Sequence, residues 1–207
     1  MTDLKDPAVM GKKIYKYLQE NKIVLLQDKS FPNIVTYIVG RKIKGSWWGH
    51  PLANPIYNGL NWLEKNKIFL SVKLIDGKVT YLHKSLISDF YSIVKKPRDW
   101  QLKNLKEDDL KMLQHISQNS IIFSDDETLK LVVNEPKKNL STLEKKLLIH
   151  SVEVHTSSGM HVKKIMTWKN SNISCSSKKD YLSAKFEIEK IVFKLCEKTG
   201  AKVKLPW

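Results

Sequence analysis

The stretch Ile68-Phe69-Leu70-Ser71-Val72-Lys73-Leu74-Ile75-Asp76-Gly77-Lys78-Val79-Thr80-Tyr81-Leu82-His83 decides how the chain is read. Two alternating apolar runs, 68–74 and 78–83, flank Asp76-Gly77. Asp-Gly accepts the positive φ angles of a tight turn, so the stretch predicts an antiparallel hairpin. Upstream, Ile56, Leu60 and Leu63 recur at helical spacing with Tyr57 beside them, which predicts a helix over 54–64. Val9, Ile14, Tyr17 and Leu18 predict an earlier helix over 7–21, with Pro7 near its start. Residues 23–26 form a short apolar run, and 31–39 fit either a helix or a strand. Residues 85–94 predict another helix, ending near Pro97. Helices followed by a hairpin are the order of a winged helix, in which a helix lies on a duplex and the hairpin touches its backbone. Lys65, Lys67, Lys73 and Lys78 would surround the helix-to-hairpin region.

Residues 95–105 carry Lys-Lys-Pro-Arg and several charges, and they are the expected boundary between a domain at 1–97 and one at 98–207. Beyond them, 107–117 predict a helix, 125–133 are ambiguous and 136–139 suggest a loop. Ser141-Thr142-Leu143-Glu144 has the form of a capping box, so a helix is expected from Ser141. A last helix is expected over 179–198, with Phe186, Ile191, Val192 and Leu195 inward and Gly200 as its stop. The expected fold class is α+β and mostly helical: a winged-helix-like N-terminal half with a β-hairpin, then a helical C-terminal half.

A chain of 207 residues can bury a core without disulfides. Its two cysteines, Cys175 and Cys196, are too few for a disulfide framework or a four-cysteine zinc site, and they suit reduced thiols in the cytoplasm. The first residues include acids and no long apolar run, unlike a signal peptide, and no apolar stretch is long enough to span a membrane. The net charge of +15 points to a polyanionic partner, DNA first and RNA second. Arg41 and Arg98 are the only arginines, so the charge suits phosphate contact better than bidentate guanine readout. The alternative origin of the charge is a lysine-rich, solubilising surface. No obligate protein partner is inferred.

Arg41-Lys42-Ile43-Lys44-Gly45-Ser46-Trp47-Trp48-Gly49-His50-Pro51 is the first constellation with chemistry. Two tryptophans lie between glycines, behind basic residues and ahead of a histidine. Pro51 argues against continuous helix, and the glycines permit a sharp bend. Such a loop presents aromatic faces beside positive charge, which suits an unstacked base next to phosphate. Arg41, Lys42, Ser46, Trp47, Trp48 and His50 are therefore candidate substrate-binding residues. The plainer alternative places one tryptophan in the core and the other in a turn.

The second constellation, 150–161, holds His150, Glu153, His155 and His161 with Ser157, Ser158 and Gly159 between them. Read as one helix over 141–168, it puts Leu147, Val154, His161 and Trp168 on one seam, with His150, Glu153 and Ser157 beside it. Alternatively the helix breaks, and Ser157 or Ser158 caps a second helix whose N-terminus receives a phosphate. A carboxylate and imidazoles near one face can carry general acid–base chemistry. His-Glu-x-x-His is absent, so no metal site is expected.

The Lys-Gly-Ser-Trp-Trp-Gly-His-Pro box, the Glu-x-His-Thr-x-Ser-Gly-x-His segment and the helix–hairpin between them resemble a family of small basic prokaryotic proteins. It is the family that includes an archaeal bifunctional 5-hydroxymethyluracil DNA glycosylase/abasic-site lyase. The resemblance implies an activity class: removal of a damaged base and cleavage at the abasic site through a lysine Schiff base and β-elimination. Such a lysine must be partly neutral. Lys44, beside Arg41 and Lys42 and opening onto the tryptophan loop, fits that need from the residues alone. Glu153, with His155 or His161, would take the proton that drives elimination. No cofactor is required. A non-catalytic winged-helix DNA- or RNA-binding protein is the first alternative, and a metal-dependent nuclease the second.

Overall fold

The computed structural model describes residues 4–155, 161–173 and 179–207. The chain runs α1 (Pro7–Asn21), β1 (Ile23–Leu25), α2 (Ile34–Val39), α3 (Ala53–Lys65), β2 (Phe69–Val72), β3 (Thr80–His83) and α4 (Ile87–Val94). It continues with α5 (Asp99–Leu102), α6 (Glu107–Gln118), β4 (Ile122–Phe123), α7 (Leu129–Val132), α8 (Pro136–Lys145), β5 (Ile149–His155), β6 (His161–Thr167) and α9 (Tyr181–Thr199). The fold is α+β, about 52% helical, with small antiparallel sheets.

Local chemistry accounts for most of the N-terminal elements. The Asp6 carboxylate accepts from the Ala8 amide at 2.8 Å and opens α1, while Pro7 fills a first-turn position that needs no amide. Asn33 resolves the ambiguity at 31–39: its side chain accepts from the Thr36 amide at 2.9 Å and starts a helix. Asp76 and Gly77 adopt φ of 52° and 66°, and the Lys78 amide donates to Ile75 O at 2.9 Å, so the expected Asp-Gly turn forms, set within the longer connection 73–79 rather than joining the strands directly. β2 then pairs antiparallel with β3, and β1 adds to the far edge of β3 in the order β1-β3-β2.

This sheet is covered on both faces, which is why its strands read as nearly continuous apolar runs. Ile23, Leu25, Leu70, Val72 and Leu82 join a core with α4 and α9. Val24, Phe69 and Tyr81 join a second core with α1, α2 and α3. Helices α1 and α3 meet at two glycines. A Cβ on Gly59 would lie 2.6 Å from Met10 Cγ and 3.1 Å from the Gly11 amide nitrogen, so a side chain there would hold the helices apart. The first core also contains Leu147, Trp168 and Ile188, so it draws on both sides of residue 97.

The C-terminal half differs from the helical expectation. Pro136, not Ser141, is the first residue of α8, so Ser141 lies inside the helix and the expected capping box does not open it. The helix ends at Lys145, and Leu147 at φ 53° turns the chain into β5. The histidine- and glutamate-rich segment is therefore strand rather than helix: β5 and β6 pair from Ile149↔Thr167 to His155↔His161, and β4 joins the other edge of β6. Its isoleucine, valine and threonine content suits a pleated surface. The seven-residue spacing of Leu147, Val154, His161 and Trp168 mimicked a helical seam. Ser157 and Ser158 lie outside the described residues. A third core joins this sheet to α6, α7 and α8 through Met112, Ile116, Leu143 and Ile165.

Asp180 caps α9 by accepting from the Ser183 amide at 2.8 Å, and Gly200 ends it at φ 69°. Its inward face is Ala184, Ile188, Val192 and Leu195; Phe186, expected inward, is 62% exposed. Beyond α9, Lys204 exchanges two 3.0 Å hydrogen bonds with Asp76, strapping the tail to the hairpin tip.

Candidate functional site

The tryptophan loop is a built platform. Gly45 turns at φ 79°, and its carbonyl accepts from Gln27 Nε2 at 2.9 Å. Ser46 Oγ accepts from the Trp48 amide at 3.3 Å, and His50 Nδ1 accepts from the Leu52 amide at 3.1 Å, so Trp47–Gly49 close into one turn of 3₁₀ helix. Trp47 is buried against α3, whereas Trp48 is 53% exposed. The two rings stack at 4.5 Å, and Trp48 also meets Tyr57 at 5.6 Å. One tryptophan anchors the loop and the other offers a face. Arg41, Lys42 and Lys44 are exposed on the approach to it.

Beside this platform lies a cavity of about 140 Å³, lined by the tryptophan pair, α3, β2, the end of α8, and β5 with β6. A cavity of about 150 Å³ accommodates a benzene ring, so the space is of single-ring scale. Tyr57, Asn61 and Glu64 reach it from one face of α3, at steps of four and three. Ser71 reaches it from β2, and Lys73 from the residue just past the end of that strand. His150, Ser151 and Glu153 come from β5, Glu144 from α8 and Lys163 from β6.

The carboxyl groups divide by environment. Burial, reinforced by the nearby charge of Glu153, pushes the Glu64 carboxyl up to about 7. Glu153 itself is exposed. Burial also raises the Tyr57 hydroxyl, although its hydrogen bond with Asn61 works the other way. Burial opposes ionisation of Glu144, but Lys163 at 2.6 Å and Lys73 at 2.5 Å outweigh it and hold that carboxyl below its usual range. Burial pushes the His150 imidazole down to about 4, so the ring is neutral near pH 7. It stacks on Trp168 with centroids 4.9 Å apart. The cavity thus holds one carboxyl that is half protonated near neutrality, one exposed carboxylate, and two lysines sharing a third carboxylate.

Of the residues singled out from sequence, Trp47, Trp48, His150 and Glu153 line this cavity. Lys44 is exposed and is not among the lining residues, nor are Arg41, Lys42, Ser46 and His50. His155 and His161 face each other by backbone register at the end of the β5–β6 hairpin. Sequence reasoning missed Asn61, Glu64, Glu144 and Lys163, and it placed Lys73 only on a nucleic-acid-facing surface. The run Tyr57–Asn61–Glu64, polar groups beside the apolar face of Ile56, Leu60 and Leu63, was the available signal. Among the described residues no three His, Cys, Asp or Glu side chains gather as a metal site, and no helix is long and apolar enough to cross a membrane. No family model, curated protein or solved structure matches this chain.

Proposed function

We propose that the protein is a DNA-repair enzyme that draws one base out of DNA, cleaves its glycosidic bond and then cuts the abasic site as a lyase. The observation that carries this reading is the ring-sized cavity beside a half-exposed tryptophan, with a near-neutral carboxyl and a carboxylate facing it. Chemistry on a base inside a duplex requires its extrusion into such a pocket, and an aromatic face lowers the cost by stacking. Protonated Glu64 donates to the departing base as the C1′–N bond breaks. Paired groups with different protonation states suit acid and base roles.

The amine is drawn from Lys73 or Lys163, which line the cavity, in preference to exposed Lys44. The neutral lysine amine bonds to C1′ as the base leaves and gives up one proton; the C1′–O4′ bond then opens, O4′ taking a proton, and a protonated imine is left at C1′. Glu153 then takes a C2′ proton, and the C3′–O bond breaks with the phosphate as leaving group. The net charge of +15 favours the phosphate backbone.

A second reading is a non-catalytic winged-helix nucleic-acid-binding protein in the cytoplasm. The order helix, strand, two helices, hairpin, with β1 paired on β3, favours it. Borohydride trapping on duplex DNA with one abasic site separates the two. A covalent adduct formed in the presence of chelator, mapped by mass spectrometry to Lys73 or Lys163, supports the lyase. An adduct at Lys44 moves the chemistry to the loop, and no adduct with intact DNA binding favours the binding protein.

A further inference from the structure

In a chain of net charge +15, two carboxyl groups of the cavity have no cation. Among the described residues, no basic side chain forms an ion pair with Glu64 or Glu153. The lysines that line the cavity, Lys73 and Lys163, are both held on Glu144. Aromatic faces stand beside the uncompensated pair. Trp48 and Tyr57 meet at 5.6 Å with their planes 52° apart, so they form two walls of a corner, and both line the cavity. Tyr57 and Glu64 share one face of α3, two turns apart. On β5, Ser151 points to the same side of the strand as Glu153, two residues on. Its Oγ is buried, belongs to the cavity wall and has no hydrogen-bond partner among the described residues.

We propose that this end of the cavity holds a base as a cation, and that its substrate class is the N-alkylated base, which carries a fixed positive charge. The inference rests on the base-capture reading and adds the charge of the captured base. The negative face of an aromatic ring attracts a cation, tryptophan most strongly. Glu64 and Glu153 balance the charge, and the Ser151 hydroxyl donates to or accepts from the ring edge. The arrangement also fits the chemistry of release. An alkylated base leaves with the electron pair of the C1′–N bond and becomes neutral. A base that Glu64 has first protonated does the same, so one electron-rich corner serves both.

The test uses the whole protein and three dye-labelled duplexes that differ at one position, always opposite a stable abasic analogue so that no base pair has to open. The position carries N3-methylcytosine, a single ring charged at neutral pH, or thymine, a neutral ring of similar size, or a second abasic analogue. A 2′-fluorinated sugar keeps each base attached, and fluorescence anisotropy reads binding. At pH 8 the methylcytosine duplex should bind about tenfold more tightly than the thymine duplex, the order of a desolvated cation–π contact. That advantage should shrink toward pH 6. Burial and Glu153 push the free Glu64 carboxyl up to about 7, so below that a cation must displace its proton. His150, pushed down to about 4, stays neutral over this range. Glu64→Gln should lose the advantage and its pH dependence, and Glu153→Gln should reduce the advantage. Equal binding of the two base-bearing duplexes by the parent, or an advantage that survives Glu64→Gln, would overturn the proposal and leave base capture standing. Base-bearing duplexes that bind no better than the doubly abasic one would remove base capture itself, and this inference with it.

Discussion

Glu64→Gln should make the protein more stable above neutral pH and leave it nearly unchanged in acid. The folded structure raises the Glu64 carboxyl from 4.5 to about 7, through burial first and Glu153 second. Between those values the folded chain binds more protons at this site than the unfolded chain. Stability therefore falls as pH rises from 4.5, and the full cost is present above about 7. At about 1.4 kcal/mol per pH unit, the gap corresponds to about 3 kcal/mol. Glutamine keeps the shape without the charge, so the variant should gain about 2–3 kcal/mol at pH 8 and close to nothing at pH 4. His150 works in the opposite direction: its lowered value costs stability as pH falls below 6.5. That contribution is common to both proteins and cancels in the difference. Urea unfolding of both proteins from pH 4 to 8 measures it. A difference that is flat with pH would refute the assignment of a buried, proton-holding Glu64. Glu153→Gln removes the second cause and should move the midpoint of the curve toward acid. If Glu64 is the acid for base release, activity should decline above about pH 7, and the Gln variant should lose about 10²–10⁴-fold in rate.

The two tryptophans should separate cleanly. Trp47→Ala should cost about 3–5 kcal/mol of stability. Trp48→Ala should melt much closer to the parent yet lose about 1–3 kcal/mol of affinity for unpaired bases, as fluorescence titration and thermal melts would register. Gly59→Ala should destabilise by about 1–3 kcal/mol through overpacking, because the Gly11 backbone stands 3.1 Å from the new Cβ; a neutral result in urea unfolding would contradict the close crossing of α1 and α3. If about five lysines meet phosphates, the logarithmic salt slope for duplex DNA should be about −4.5, and a slope near zero would sink the electrostatic footprint.

Local chemistry was enough for several elements of the N-terminal half, although it left 31–39 open between helix and strand. Asp6 and Pro7, the face of Ile56, Leu60 and Leu63, and the Asp76-Gly77 turn each act within a few residues, so their outcome is written in the order of side chains. The loop at Gly45–Pro51 was legible as a loop for the same reason, and burial divided its tryptophans into an anchor and a platform. The segment from His150 to His161 was not legible. Leu147, Val154, His161 and Trp168 recur at a step that suits a helical seam, but β5 and β6 gain their stability from pairing with each other and with β4, which local spacing does not report.

The candidate site belongs wholly to the tertiary structure. Glu64, Lys73, Glu144, His150 and Lys163 lie on five different elements or their edges. Their sequence neighbours say nothing of the partners they meet. Charge state followed the same rule. Glu64 and Glu153 are the same residue type, but one is buried beside the other's charge and holds a proton near neutrality. Composition by itself set the net charge and the supply of carboxylates and lysines. Only packing decided which of them lost water, because desolvation is a property of everything that surrounds a group and not of the residue that carries it.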